Sequence, residues 1–333
     1  MARESVNRST PPSRPTVNVI APHFPYGMLH SGEIVTRVLN EAGFRARFLY
    51  FDDGRRSRLR QWLHRSWFGK FLRRDVNIFM EQLSQKFFNM ARVQFLIPNQ
   101  EWIREEDEPH LTNLDLIICK SRHAGEIFSK LGCRTAFSSF TSMDRRLAAA
   151  GPKRREFFLM AGDRPVIVER VIALWARHPE WPTLTVSGNN VPDNVNLPNV
   201  CPIRKYLPME EIVRLQNANL FHLCITTAEG FGHKLNEGMS CGAVVIATDG
   251  PPMNELIRPE RGFLVKWART SPKALGTEYH FDEEDLERTV ERCLGLSAEE
   301  IDRLAANARS WFEENDLFFR KALPEIVRNW HKY

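Results

Sequence analysis

Two glutamates flank a glycine-containing turn in the segment EGFGHKLNE, residues 229–237. The glycines of the turn allow the backbone to approach a ligand closely. The sequence after the turn predicts a helix that begins near His233, and the unpaired N–H groups of a helix N-terminus can bind phosphate. Glu237 lies about one turn into that helix, where its carboxylate could accept hydrogen bonds from both hydroxyls of a ribose.

Glu229 follows the apolar run LFHLCITT, which predicts a buried strand. Ligands of open α/β sheets bind at the carboxyl ends of the strands, and Glu229 stands at such an end. Its carboxylate could bind hydroxyls of a second polar group on the far side of the phosphates. The spacing of the two glutamates therefore favours a ligand with a sugar at each end of a diphosphate, which is a nucleotide sugar.

Apolar runs alternate with helical segments along most of the chain, which predicts an α/β fold of parallel strands buried on both faces. The polar, basic stretch of residues 141–156 contains Gly-Pro and separates two halves with the same rhythm. We therefore expect two domains that meet near residue 150. The runs predicted to be strands are TVNVIAPHF, FRARFLYF, VQFLIPN, LDLIICK, FFLMAG, TLTVSG, LFHLCITT and AVVIATDG.

Residues 206–257 resemble the donor-binding half of GT-B glycosyltransferases of the large retaining family four. The shared pattern is E-G-F-G-x-x-x-x-E, a small-residue turn, the strand AVVIAT, a Gly-rich turn and a glutamate. The resemblance implies two Rossmann-like, doubly wound domains that face a central cleft. It also implies transfer of a sugar from a nucleotide-sugar donor to an acceptor hydroxyl, with retention of configuration and without a metal or other cofactor. No D-x-D triplet of the kind that metal-dependent transferases use is present.

Composition along the chain predicts the tail and the domain limits, and the resemblance implies that the C-terminal helix crosses back to the first domain. We expect a disordered tail over residues 1–16, an acceptor-side domain over 17–150 and a nucleotide-sugar domain over 151–310. A C-terminal helix over 311–333 would cross back to the first domain.

By the same resemblance, Glu237 would hold the donor ribose and Glu229 the transferred sugar. Glu229 and His123, which follows a strand end, are the candidate catalytic residues, although His123 could equally be an exposed residue of a helix's first turn. Residues of the glycine turn would line the sugar–phosphate region, and the turn of residues 250–255 would close the sugar pocket. The further donor-binding candidates are Gly230, Phe231, Gly232, His233, Pro252, Met253, Asn254 and Glu255.

One position departs from the family pattern. The family places a cation after the first strand of the second domain to neutralise the leaving diphosphate, and Asp163 stands there instead. Arg164 or Arg170 could replace that cation, or they are an ordinary turn residue and a helix surface charge. The departure leaves open a second hypothesis, a weak or inactive transferase-like protein that acts as a binding partner or scaffold.

The first half contributes candidates for the acceptor side. Gly27, His30 and Gly32 belong to a predicted glycine-bearing loop after the first strand. Asn99 and Glu101 follow a later strand. The acceptor itself, a glycan, a lipid or a protein, is not indicated by the sequence.

A basic segment over Arg55–Arg74 has eight Arg or Lys and no acid, with Trp and Leu at helical spacing. It predicts a basic amphipathic helix. The apolar face packs on the first domain, or it lies on an anionic membrane surface, or the arginines bind phosphates of a nucleic acid, which is the least favoured of the three.

The composition is that of an ordinary globular protein. The 333 residues are 43% hydrophobic and 26% charged, with a net charge of +5. The polar N-terminus is not a signal peptide, and no apolar run approaches the roughly twenty residues that span a bilayer. The six cysteines form no C-x-x-C pair, so we expect reduced thiols in the cytoplasm. A peripheral position on the inner face of a membrane is the alternative location.

Overall fold

The computed structural model describes residues 14–22, 27–51, 73–162 and 164–333. Its contacts divide the chain into two compact units, residues 1–95 and residues 96–333. The described strands are β1 Thr16–Pro22, β2 Arg45–Phe51, β3 Arg74–Glu81, β4 Ala91–Pro98, β5 Leu116–Cys119, β6 Thr135–Phe137, β7 Arg154–Met160, β8 Leu184–Ser187, β9 Val200–Ile203, β10 Asn219–Cys224, β11 Val244–Thr248, β12 Gly262–Val265, β13 Trp267–Lys273 and β14 Gly276–Phe281. The described α-helices are α1 Gly27–Glu41, α2 Arg122–Lys130, α3 Pro165–Arg177, α4 Met209–Ala218, α5 His233–Ser240, α6 Met253–Leu256, α7 Glu283–Leu294 and α8 Ala298–Asn329.

The first unit has the strand order β2-β1-β3-β4, and β4 runs on into the second unit. β1 pairs in parallel with β2 from Thr16↔Arg45 onward, and with β3 from Val17↔Val76. Helix α1 buries its apolar face, which includes Val35 and Leu39, because these residues recur at helical spacing. The first unit is therefore the β-α-β opening that the sequence predicted.

The prediction of a glycine-bearing loop after β1 is wrong for residues 27–32. Gly27, His30 and Gly32 all lie in helix α1, so they do not form a loop that faces a ligand. Gly32 is needed for packing, because a Cβ built there would lie 2.2 Å from the Phe48 ring. The side chain of His30 is 37% exposed and lies 3.6 Å from Glu33.

The second unit holds the strand orders β4-β5-β6 and β12-β11-β10-β7-β8-β9. β10 pairs in parallel with β7 and β11, in the register Phe221↔Phe157 and Phe221↔Val244. Phe157 stacks on Phe221 with ring centroids 4.8 Å apart, and Trp175 of α3 packs edge-on against Phe157. All eight apolar runs predicted to be strands are strands, and they supply eight of the twelve strands of the two six-stranded sheets.

Several strands were not predicted. The short strands β6, β9 and β12 complete the sheets. β3 begins at Arg74, so the predicted basic helix does not reach that residue. β13 and β14 form an antiparallel hairpin that belongs to neither main sheet. Its strands are polar and largely accessible, so they lack the apolar run that predicts a buried strand.

Helix α8 begins with a capping box in which Ser297 and Glu300 exchange side-chain and backbone hydrogen bonds. Pro324 lies inside the helix and does not end it. Asn315 of α8 donates to the carbonyl of Phe140, and Arg309 bonds both carboxylate oxygens of Asp144. Through these bonds α8 reaches residues that the predicted division gives to the first domain.

The compact units divide at residue 95, whereas the sequence predicted a junction near residue 150. Residues 139–145, which lie just before the predicted junction, are hydrogen-bonded within the second unit. Ser142 N–H donates to Asn236, and Arg145 N–H donates to Ser240, so this stretch is joined to helix α5.

Three predictions lie wholly or mostly outside the described residues: most of the N-terminal tail, most of the basic segment Arg55–Arg74, and Asp163. Within the described parts of the chain, no helix has both the length and the apolar character needed to cross a bilayer.

Candidate functional site

The glycine turn leads from β10 into α5, as the sequence predicted. Gly232 has a φ of +101°, the left-handed region that favours glycine, and α5 starts at the next residue, His233. Gly230 faces Asn99 so closely that an added Cβ would lie 1.8 Å from its Oδ1. Both glycines are therefore required by the geometry of the turn, and the start of α5 is held next to Glu229 and Asn99.

Glu229 is partly accessible to solvent, and other side chains surround most of its carboxylate. Burial raises the pKa of Glu229 above its usual range, while Lys234, a hydrogen bond from Thr226, and the charges of Arg164 and Lys120 lower it. Three cations therefore act on this one carboxylate. They give the site a positive field in which an anion is stabilised.

Lys234, in the first turn of α5, places its ammonium at the end of β7. Its Nζ donates to the Met160 carbonyl at 3.2 Å and lies 2.9 Å from where a Cβ would stand on Gly162. That position follows the first strand of the second sheet, beside the residue where the family pattern has its cation. Lys234 thus supplies from α5 a positive charge beside the carboxyl end of β7.

Lys120 approaches the turn from β5. It is buried, donates to Asn99 Oδ1, and its Nζ lies 5.4 Å from the centroid of the Phe140 ring. Gln100 Nε2 donates to the backbone carbonyl of Glu229 at 3.1 Å. The acceptor-side candidates Asn99 and Glu101 are buried beside this turn region.

Glu237 is almost fully buried. Arg145 Nη2 lies 3.0 Å from Glu237 Oε1, and Gln216 Nε2 donates to Oε2 at 3.2 Å. Around it, Arg145 Nε, Gln216 Oε1 and Asn236 Nδ2 have no hydrogen-bond partner among the described residues. Buried polar atoms normally have partners, so this cluster retains capacity for a polar ligand.

The other predicted residues of the turn face the 140–145 stretch. His233 Nδ1 lies 2.7 Å from Ser142 Oγ, and its ring is edge-on to Phe140 and Phe231. Phe231 is itself buried against Phe140. Phe231 and His233 therefore pack against residues 140–142 and stabilise the turn.

The turn of residues 250–255 packs beside it. An added Cβ on Gly250 would lie 2.4 Å from the Tyr279 ring, and Asn254 Nδ2 donates to Asp249. Pro252 and Met253 are buried. The turn is thus closed on one side by the β13–β14 hairpin.

The Glu255 carboxylate is hydrogen-bonded to the start of α2. Its two carboxylate oxygens accept hydrogen bonds from the backbone N–H groups of Arg122 and His123, each at 2.8 Å. Burial lowers the pKa of His123, while the charge of Glu255 raises it. Glu255 therefore stabilises a helix N-terminus, and the structure brings it together with His123 and not with Glu237.

Arg164 and Arg170 differ in their surroundings. Arg164 Nη1 lies 2.9 Å from Glu278, and its charge acts on Glu229. Arg170 pairs with Glu283, and its guanidinium lies 4.2 Å from the centre of the Phe281 ring. The contacts of Arg170 are those of a helix surface charge, so Arg164 is the better placed of the two.

A pocket of about 290 Å³ lies between the start of α2, the segment after β11 and α8. Its lining includes Lys120, Arg122 and Arg258, with Glu255 as an acidic residue and Phe231 on its wall. The cations outnumber the carboxylates among these residues, and the Glu255 carboxylate is already bonded to two N–H groups. Anionic groups are favoured in this pocket.

No group of three or more His, Cys, Asp or Glu that could hold a metal ion occurs in the described residues.

A family model described as "Glycosyl transferases group 1" matches residues 192–310, which include Glu229, Glu237 and Glu255. The matched segment resembles the group 1 glycosyl transferases, and it makes up about a third of the chain. The resemblance inferred from the sequence, the GT-B fold and the enzyme class are therefore confirmed. The family match does not extend to residues 99–145, which supply Asn99, Lys120 and Arg145 to the surroundings of the glycine turn.

Solved structures agree on the fold. Sucrose-phosphate synthase from Thermosynechococcus elongatus has a TM-score of 0.68 at 15% identity, covering 96% of this chain and 98% of that one. Anabaena Alr3699/HepE, in complex with UDP and glucose, has a TM-score of 0.68 at 14% identity, covering 96% and 100%. WaaG, a glycosyltransferase involved in lipopolysaccharide biosynthesis, has a TM-score of 0.61 at 14% identity, covering 94% and 98%. A search of curated protein sequences gives no match.

Sequence reasoning missed four residues of this site: Lys234, Lys120, Arg145 and Gln216. Lys234 stands inside the segment EGFGHKLNE, and helical spacing could have shown that it lies on a different face of α5 from Asn236 and Ser240. Arg145 lies in the basic stretch of residues 141–156, to which no ligand-binding role was assigned. The pairing of Arg145 with Glu237 joins residues 92 apart in sequence, for which the sequence has no local pattern.

Proposed function

We propose that this glycosyltransferase moves a sugar from a nucleotide-sugar donor to an acceptor hydroxyl, with retention of configuration and without a metal. The observation that carries the proposal is the set of cations Lys234, Arg164 and Lys120 around Glu229, at the N-terminus of α5. Such a set suits a diphosphate leaving group. The similar HepE structure, which is a complex with UDP and glucose, supports a nucleotide-sugar donor.

In the proposed reaction, the bond between the anomeric carbon and the diphosphate oxygen breaks, and a bond to the acceptor oxygen forms. Negative charge then develops on the diphosphate. Lys234 and the N–H groups at the start of α5 stabilise that charge, and they do so in a site already arranged for it. The proton of the acceptor hydroxyl passes to the diphosphate oxygen that leaves the anomeric carbon, so the nucleoside diphosphate departs with it.

Glu229 and Glu237 bind the two sugars of the donor in this proposal. Glu229 stays partly accessible beside Lys234, so its carboxylate can accept hydrogen bonds from hydroxyls of the transferred sugar. Glu237, held by Arg145 and Gln216, faces polar atoms that have spare hydrogen-bonding capacity, which suits a ribose. The acceptor would be a hydroxyl of a glycan, a lipid-linked sugar or a protein, chosen on the side of Asn99, Glu101 and His123. Contact with an anionic membrane through Arg55–Arg74, and a cytoplasmic location, stay predictions.

Calorimetric titration with UDP, GDP, ADP and their common sugar conjugates tests the donor site. The Lys234→Gln variant should bind the preferred diphosphate at least about tenfold more weakly, because a charge-assisted hydrogen bond contributes roughly 1.5–3 kcal/mol. Lys266→Gln removes an exposed lysine and serves as the matched control, with unchanged affinity expected.

Turnover separates the enzyme from the scaffold hypothesis. Donor hydrolysis or transfer that continues in the presence of EDTA, with a product of the same anomeric configuration by NMR, supports the proposal. Tight nucleotide binding without any turnover would favour a scaffold. Equal binding by the Lys234→Gln and wild-type proteins would contradict the placement of the diphosphate.

A further inference from the structure

The β13–β14 hairpin packs on the strand end that carries Glu229. Tyr279 N–H donates to the Thr227 carbonyl at 2.7 Å, and the Tyr279 ring occupies the space above Gly250. At the tip of the hairpin, Leu275 N–H donates to the Gln100 carbonyl at 3.2 Å. The hairpin therefore touches both segments that flank Glu229, the one after β10 and the one after β4.

Glu278 of this hairpin is held by several polar groups. Arg164 Nη1 lies 2.9 Å and Lys273 Nζ 3.4 Å from Glu278 Oε1, and Thr227 Oγ1 donates to the same oxygen at 3.4 Å. Ser271 donates to Oε2 at 3.2 Å. Burial alone would raise the pKa of Glu278, but the hydrogen bond and charge of Arg164, together with Lys273, lower it below its usual range. Glu278 is thus a carboxylate at neutral pH.

Arg164 stands between two carboxylates. It makes direct contact with Glu278, and its charge also lowers the pKa of Glu229. Its side chain is 36% exposed, so the guanidinium can be reached from solvent. A diphosphate bound beside Lys234 and Glu229 would compete with Glu278 for this guanidinium, because a guanidinium binds phosphate oxygens through paired hydrogen bonds.

We propose that Glu278 takes the place of the donor diphosphate in the free protein, and that donor binding moves Arg164 from the Glu278 carboxylate to the phosphate oxygens. This inference rests on the proposed function. It makes Glu278 a specificity-determining residue, since a ligand must carry enough phosphate charge to displace a carboxylate from Arg164. A nucleoside without phosphates gains nothing from the exchange.

The test is calorimetric titration, at low salt, of whichever of UDP, GDP and ADP binds the wild-type protein, and of the corresponding nucleoside. Glu278→Gln should bind the diphosphate about fivefold more tightly, because Arg164 no longer has to leave an ion pair. A fivefold change corresponds to about 1 kcal/mol. Affinity for the nucleoside should not change. In an Arg164→Gln background, Glu278→Gln should have no effect on diphosphate binding.

Glu283→Gln is the matched control, because Glu283 forms a comparable ion pair with Arg170 and its removal changes the net charge equally. Its affinity for the diphosphate should equal that of the wild-type protein. Should Glu278→Gln fail to fold, Glu278→Asp keeps the charge but shortens the reach to Arg164, and it should shift affinity in the same direction.

The outcomes distinguish this inference from the proposed function. A gain that depends on Arg164 supports the exchange. Diphosphate binding with no gain in Glu278→Gln, or a gain that Glu283→Gln or the nucleoside shares, overturns the exchange and leaves the proposed function standing. Absence of binding by every diphosphate overturns both.

Discussion

At the scale of single residues, the buried groups of the second unit depend on one another for their charge states. Gln216 is the centre of one such group. Its side chain donates to Glu237, and its backbone carbonyl accepts hydrogen bonds from His222 Nε2 at 3.0 Å and Lys153 Nζ at 3.3 Å. Burial, with the charge of Lys153 adding to it, lowers the pKa of His222 to about 3. His222 is therefore a neutral residue of the core.

This pKa predicts how stability depends on pH. The folded-state pKa of His222 lies below the unfolded value of 6.5, so the unfolded chain binds the proton first as pH falls. Its contribution to stability is complete above pH 6.5 and is lost on acidification, by about 1.4 kcal/mol at pH 5.5. Urea unfolding of the wild-type and His222→Gln proteins at pH 5.5 and 7.5 measures this contribution. Between pH 7.5 and 5.5, the free energy of unfolding of the variant should fall by about 1.4 kcal/mol less than that of the wild-type protein.

The exposed His331 provides the control, and His331→Gln should keep the pH dependence of the wild-type protein. If His222→Gln loses as much stability on acidification as the wild-type protein, then His222 is not the residue that couples folding to the proton.

At the scale of elements, the glycine turn is fixed by what the end of β4 places against it. Asn99 Oδ1 accepts a hydrogen bond from Lys120 and lies 1.8 Å from where a Cβ on Gly230 would stand. A side chain at residue 230 cannot be added without moving Asn99. The turn, the start of α5 and the end of β4 therefore form one packed unit around Glu229.

Gly230→Ala should lower the free energy of unfolding by about 1–3 kcal/mol, because overpacking forces neighbouring atoms to shift. Urea denaturation measures the loss. Gly125→Ala is the matched control, since Gly125 lies in α2 with no atom within 4 Å of the added Cβ. That variant should be more stable than wild type by about 0.4–1 kcal/mol.

The double variant Gly230→Ala/Asn99→Gly should lose less free energy of unfolding than the sum of the losses of the two single variants. Strict additivity of the two effects would show that Asn99 is not what excludes a side chain at residue 230.

Elements also differ in how far the sequence predicts them. Buried parallel strands such as β10 are continuous apolar runs, so they were predicted correctly. The β13–β14 hairpin was missed because its strands are mostly accessible and polar, and because Pro272 lies inside β13. The position of Glu229 could be predicted from its strand and turn. The partners of Glu237 and Glu229 could not, because Arg145, Gln216 and Lys120 come from other elements that only the folded chain brings together.

At the scale of the whole molecule, α8 joins the segment after β6 to the rest of the second unit. Asn315 is buried on this helix, where it donates to the Phe140 carbonyl at 2.6 Å and accepts from Ser139 Oγ at 2.5 Å. The Phe140 ring in turn packs on Phe231 of the glycine turn. A change in α8 can therefore reach the donor site through two contacts.

Asn315→Ala should lower the free energy of unfolding by about 1–3 kcal/mol, because it leaves a buried carbonyl without its partner. It should also weaken diphosphate binding, because the Phe140 ring that Asn315 helps to hold packs on Phe231 of the glycine turn. Thermal unfolding and calorimetry measure the two effects. Lys321→Ala, an exposed position on the same helix, should change stability by no more than about 0.5 kcal/mol.

Loss of stability in Asn315→Ala without any change in diphosphate affinity would show that α8 holds residues 139–140 without influencing the glycine turn.

The pairing of β7 with β10 has a consequence for the nascent chain. Phe157 and its partner Phe221 are 64 residues apart, so β7 leaves the ribosome well before the strand that covers its edge. At a synthesis rate of about 5–20 residues per second, that interval lasts roughly 3–13 seconds. During this time the apolar residues of β7 have an open edge, which is a substrate for chaperones. The order of strands in the sheet thus sets a minimum delay between the synthesis of β7 and its pairing with β10.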